Sequence, residues 1–245
     1  MDFFQHLGNY ATLMKATFAR PEKGKVYWML IIEEIEKIGL SSIGIVSIVA
    51  AFFGAVISIQ TANNMDNPLL PQMLVGYGTR DSIILEFSST IMCLILSGKV
   101  GSNIASEIGS MKVTQQIDAL ETMGVNSAGY IIFPKIIATI FIFPFLSLCY
   151  MFVGIFGGYF GVVITGAINS SEFISGLHYG FKSYYIFYTL TKTVVFAFII
   201  SSVSSYYGYN AELGSKGVGD ASTKAVVNSS LIILIFNLLL TKLML

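Results

Sequence analysis

The feature that most limits what this chain can become is a set of apolar runs too long for a soluble core. Positions 38–59 hold 22 residues without a charge, and positions 136–166 hold 31. About 18 or more apolar residues in a row suffice for a helix to cross the hydrocarbon of a bilayer. Further runs at 82–98, 184–203 and 226–245 are interrupted only by Glu86, Lys192 and Lys242. Composition agrees, because 11% of the 245 residues are charged and 54% are hydrophobic, whereas soluble domains carry roughly 25% charged residues. A soluble domain of this length has too little interior to hide so much apolar surface. The expected fold is an all-α integral membrane protein, a single domain over 1–245 with five spans.

The third run sets its own geometry. At about 1.5 Å per residue it extends about 46 Å, beyond the roughly 30 Å hydrocarbon core. It is too short for two spans and a turn, so it reads as one long helix that Pro144 kinks. Residues 2–20 are of another kind. Phe3, Phe4, Leu7, Tyr10, Ala11, Met14 and Phe18 recur at helical spacing, with Gln5, Asn9 and Thr12 opposite and His6 and Lys15 on the flanks. Such a helix lies along the membrane surface or packs on a protein surface. Asn63, Asn64, Asp66, Asn67, Pro68 and Pro71 mark a loop over 60–81. No cleavable signal peptide is expected, since the early apolar run 26–32 is short and leads into Glu33 and Glu34.

Charge then gives an orientation. With the N-terminus inside, the inner segments hold Lys15, Arg20, Lys23, Lys25, Lys37, Lys99, Lys112, Lys135, Lys216 and Lys224, and the outer ones hold Arg80, Lys182 and Lys242. Basic residues favour the cytoplasmic side. The N-terminus is therefore expected in the cytoplasm and, after five spans, the C-terminus outside. Net charge is zero and the 14 basic residues form no dense run, which argues against a nucleic-acid partner. Cys93 and Cys149 sit in apolar stretches and read as buried small side chains. His6 and His178 are far apart, so no zinc site is expected.

The interval 99–135 is the longest polar stretch after the N-terminus, and its pattern predicts a short amphipathic helix over 113–123. Val113, Ile117 and Leu120 form a stripe with Met123 at its edge, while Thr114, Gln115, Gln116, Asp118 and Glu121 cover the rest. Thr114 suits the start and Gly124 the end. By spacing alone, such an element either docks into a groove on a partner or packs on its own bundle.

Two stretches carry a resemblance. Gly98-Lys99-Val100-Gly101-Ser102-Asn103-Ile104-Ala105-Ser106-Glu107-Ile108-Gly109, followed by 111–120, resembles the MlaE/YrbE family, permease subunits of ABC transporters associated with MCE proteins. Gly208-Tyr209-Asn210-Ala211, Gly217-Val218-Gly219 and 221–227 are similar to a second pattern of that family. The resemblance implies a homodimeric inner-membrane permease that moves phospholipids or related lipids between a membrane and an MCE-protein conduit. A separate ATPase subunit would bind ATP and Mg. The chain itself has no G-x-x-x-x-G-K-[ST] loop, and Gly214-Ser215-Lys216-Gly217 lacks the spacing. The resemblance makes Thr114–Gly124, including Thr114, Gln115, Gln116, Asp118, Leu120, Glu121 and Gly124, the coupling helix that meets the ATPase. Glu107 and Gly109 lead into it. Asn210 and Glu212 would support it from the second cytoplasmic loop.

Two charges lie inside spans. A charge near mid-bilayer costs about 2.5–3.5 kcal/mol on insertion scales, so Glu86 should face protein or water. Many members of the resembled family place Arg before this acid, whereas this chain has Leu85. Glu86 is therefore either neutral or paired elsewhere, and it either lines a lipid cavity or ties helices together. Lys192 in the fourth span is the available partner, and a Glu86–Lys192 pair would cancel two costly charges. Gly154-x-x-x-Gly158 and Gly157-x-x-x-Gly161 allow close helix approach, within the subunit or between two copies. Two other classes compete with the permease. A secondary transporter or channel needs a charge relay or inverted repeat, and only Glu86 and Lys192 are candidates. A non-transporting scaffold would show no lipid-stimulated ATP turnover with its partners.

Overall fold

The computed structural model describes residues 3–19, 24–65 and 71–245. Asp66, Asn67, Pro68, Arg20 and Lys23, which the loop and charge readings use, lie outside them. The described residues form helices and no strand: α1 (Phe3–Ala19), α2 (Gly24–Asn64), α3 (Met73–Ser82), α4 (Met92–Leu96), α5 (Ser102–Val113), α6 (Gln116–Thr122), α7 (Ser127–Thr165), α8 (Ser170–His178), α9 (Tyr184–Tyr209) and α10 (Ser215–Met244). The π-helical turns Ile83–Ile91 and Ser97–Gly101 join α3, α4 and α5 into one run.

Five helical stretches are long and apolar enough to cross a membrane: Val26–Asn64, Met73–Val113, Ser127–Thr165, Tyr184–Tyr209 and Ser215–Met244. Each contains an expected span, and the protein is a multi-pass membrane protein. The helices run well past the apolar segments, because backbone hydrogen bonding continues into polar sequence at their ends. The polar interval 99–135 is accordingly not a long loop. Helix occupies it up to Val113 and again from Ser127. Of positions 60–81, those described are likewise mostly helix, and α8 was not expected.

The chain divides into two compact units. The first comprises Met1–Gly39, Leu94–Phe143 and Val194–Leu245. Here α5, α9 and α10 meet through small residues, so their backbones come close. A Cβ on Gly101 would press on Ser204, and one on Gly208 would press on the Ala105 carbonyl. Ser97 bonds Ser230 at 2.8 Å and Ser106 bonds Ser222 at 2.6 Å. Helix α1 packs on α9 and on the start of α7: Tyr10 donates to Ser202 at 2.9 Å, and Asn126 donates to the Ala16 carbonyl at 2.7 Å. Leu13, Met14 and Thr17 are buried, while Leu7 and Phe18 are exposed. Thus α1 packs one flank against its own protein and leaves apolar side chains exposed on another. Burial pushes the Tyr10 hydroxyl above its ordinary pKa, and the bond to Ser202 opposes that rise.

The second unit comprises Leu40–Cys93 and Pro144–Thr193. The glycine pairs of α7 lie against α2 of the same chain. Cβ atoms on Gly157 and Gly161 would run into the backbones of Ala51 and Ala55, and one on Gly54 into the Gly154 carbonyl. Glycine there permits backbone contact, so both pairs serve contacts within the subunit. Gly76 of α3 and Gly176 of α8 face each other in the same way.

Candidate functional site

In the first unit the site grows from a break in the helix. Gln115 adopts φ 60°, the one non-glycine residue with positive φ among those described. An L-residue avoids this conformation because Cβ crowds the backbone carbonyl. The break turns the chain from α5 into α6, so the short helix begins at Gln116 rather than Val113. Thr114 does not cap it. Its hydroxyl donates to the Ser110 carbonyl at 2.9 Å and closes α5 instead.

The far end of α6 is closed as the sequence indicates. Gly124 takes φ 77°. The Gly124 amide donates to the Glu121 carbonyl at 2.9 Å, and the Val125 amide to the Leu120 carbonyl at 3.1 Å. This bond pair satisfies carbonyls that a helix end otherwise leaves open. Side chains then fix α6 in place. Glu121 accepts from Ser127 at 2.8 Å and from Tyr209 at 2.9 Å. Asp118 pairs with Lys112 across the break at 3.2 Å. Ile117 is fully buried and Leu120 is half-buried. The expected apolar stripe thus packs largely on its own unit. Exposed along α6 and at its end are Gln116, Asp118, Ala119, Glu121, Thr122 and Met123, the last 68% exposed.

Behind the break, Glu107 is the centre of an ion chain that sequence reasoning missed. It meets Lys37 of α2 at 2.6 Å and Lys135 of α7 at 3.0 Å. Lys135 also binds Glu34 at 2.5 Å and is buried. Four alternating charges therefore hold α5 to α2 and α7. Gly109 lies just beyond, where a Cβ would stand 3.4 Å from Ala211 and Val218. Asn210 bonds its own helix at the Tyr206 carbonyl, and it is Tyr209 that reaches α6.

In the second unit Glu86 and Lys192 meet at 3.1 Å. Lys192 is fully buried, and it also donates to Tyr188 at 3.0 Å and to the Leu85 carbonyl at 3.5 Å. Its three N–H donors thus each have an acceptor. Thr90 donates to the other Glu86 oxygen at 3.1 Å, and the Glu86 side chain is 40% exposed. The cation that the Leu85 position lacks comes from α9. Glu86 lies in the π-helical turn Ile83–Ile91. Such turns are rare and occur often at functional sites.

Arg80 was also missed. Almost fully buried, it donates to the Leu177 and Tyr179 carbonyls at 2.7 and 2.9 Å, pairs with Asp81 at 2.7 Å, and stacks over Tyr77. A cation at a helix C-terminus satisfies open carbonyls and opposes the helix dipole. Arg80 therefore closes α8.

These features define a polytopic α-helical membrane protein with a short, externally presented helix between two long ones. A family model described as Permease MlaE matches residues 31–243. A probable ABC transporter permease protein of Rickettsia bellii is 36% identical over 98% of this chain and 92% of its own length. One of Synechocystis is 32% identical over 99% and 92%. The intermembrane phospholipid transport system permease protein MlaE of Haemophilus influenzae is 28% identical over the whole chain and 94% of its own length. The chain belongs to the MlaE permease family, and it is a transporter subunit rather than an enzyme.

Proposed function

We propose that this chain is the membrane subunit of an ATP-driven transporter that moves phospholipid between the inner membrane and an MCE-domain protein. It works as a pair of copies, with the N-terminus cytoplasmic and the C-terminus outside. ATP and Mg bind a separate ATPase, whose closure pushes on α6. The observation that carries this reading is α6 itself, in a chain of this permease family. It is fixed at both ends and through Glu121, yet offers Gln116, Ala119, Thr122 and Met123 outward. A helix that presents Ala119 and Met123 between polar neighbours on a rigid mount suits docking into a groove.

Force on α6 passes first to α5 through the Asp118–Lys112 pair, and then through Glu107 to α2 and α7. Glu107 and Gly109 are thus positioning residues, the one through charge and the other through close packing. Glu86, held by the buried Lys192, faces the lipid cavity, where the half-exposed carboxylate meets the polar part of the cargo. The experiment is co-purification with the ATPase. Met123→Asp should abolish the association while the chain stays folded. Undiminished binding would remove α6 from the contact.

A further inference from the structure

In the first unit, α1, α9 and α10 enclose a groove with two unlike ends. One end is a cavity of about 660 Å³ lined by Leu7, Val195, Phe198, Ile199, Ile232 and Phe236, among others. The other is a cavity of about 650 Å³ where Asn9, Asn210, Glu212, Asp220 and Lys224 converge. His6, Tyr206, Tyr207 and Asn228 line both, so the two cavities adjoin along α10. The hydrogen bond between His6 and Tyr206, at 2.8 Å, marks the boundary. Both volumes fall within the roughly 300–1,000 Å³ of small-ligand sites.

We infer that this groove binds one membrane glycerophospholipid with a zwitterionic headgroup, drawn from the leaflet that the groove faces. Three observations select that occupant. The first is length: Lys224 and Phe236 lie twelve residues apart on α10, about 18 Å along the axis, which is close to half of the roughly 30 Å hydrocarbon core. The groove therefore runs about one leaflet deep, from charged end to apolar end. The second is charge. Lys224 offers a cation to a phosphate, while Glu212 and Asp220 offer carboxylates to an ammonium. None of the three forms an ion pair with any described residue. The third is the rigidity of the charged end. The Glu212 carbonyl lies where a Cβ of residue 217 would be, so Gly217 alone lets that loop close onto α10. The second sequence pattern, 208–227, thereby acquires a role beside the Tyr209 contact with α6, and one distinct from the Glu86–Lys192 pair.

The test uses the full chain in vesicles of phosphatidylethanolamine and phosphatidylglycerol that contain a phosphatidylethanolamine with a diazirine near the end of one acyl chain. After irradiation, adducts are mapped by mass spectrometry. They should concentrate on peptides of α9 and α10 that hold Phe198, Ile232 and Phe236, several-fold above those holding the exposed Phe52 and Phe152. Ile232→Trp fills the apolar end, and Lys224→Glu removes the cation. Each should lower the groove adducts several-fold and leave those at Phe52 and Phe152 unchanged. Lys224 is exposed, so its variant remains informative if Ile232→Trp misfolds. Even labelling of all apolar faces overturns the inference, as do groove adducts indifferent to Lys224→Glu. A helix of a second copy seated in the groove would leave no groove adducts, which overturns it equally. No ATPase is present in the assay, so this result and that of the transport proposal fail or stand separately.

Discussion

At the residue scale, the buried Lys135 and Lys192 take their carboxylate partners from across the fold rather than along the sequence. Lys192 is fully buried and Glu86 is 40% exposed on its side chain. Breaking a fully buried pair costs roughly 3–5 kcal/mol, and solvent at Glu86 reduces this to about 1–3 kcal/mol. Lys192→Met and Glu86→Gln should each lower thermal stability in detergent, and the double variant should lose less than their sum. Additive losses would mean that the pair contributes nothing. Gln115 carries the opposite kind of prediction. Its left-handed backbone costs an L-residue roughly 1–2 kcal/mol, so Gln115→Gly should raise the melting temperature and Gln115→Val should lower it. Glu86 and Lys192 were visible in the sequence because a charge inside an apolar run is conspicuous. Lys135 and Arg80 were not. The partners of Lys135 are 28 and 101 positions away, and those of Arg80 beyond the adjacent Asp81 are backbone carbonyls, which no side-chain pattern announces.

At the element scale, the existence of α6 and its glycine stop were legible, but its start was not. The apolar stripe continues through Val113, and nothing in residue type marks Gln115 as left-handed. The burial of Ile117 also changes which substitutions probe docking. Replacing Leu120 or reversing Glu121 would disturb the mount itself, whereas Met123→Asp and Ala119→Asp alter only the outward face. The first should abolish ATPase binding and the second weaken it, neither lowering thermal stability, checked by pull-down beside a melting curve. The α2–α7 contact gives a second prediction. Forcing side chains into packed helices costs about 1–3 kcal/mol, and Gly157→Leu meets backbone rather than flexible side chains. Gly157→Leu should therefore lower the melting temperature sharply, while substitution at Gly98, which has open space around it, should not.

At the scale of the whole molecule, hydropathy reveals the number of membrane helices and their order, since each apolar run lies within one long helix. It reveals their lengths poorly, because a helix does not end where the bilayer does. The proposed topology predicts that a cysteine at Ala119 reacts with an impermeant maleimide only from the cytoplasmic face, and one at Lys182 only from the other. The central claim is that ATP hydrolysis on a partner drives phospholipid through this chain by way of α6. Its most direct test is transfer of labelled phospholipid from vesicles holding the permease, its ATPase and the MCE-domain protein. The expected result is ATP-dependent transfer that Met123→Asp abolishes in a folded protein. Transfer at the same rate without ATP, or undiminished in Met123→Asp, would contradict it.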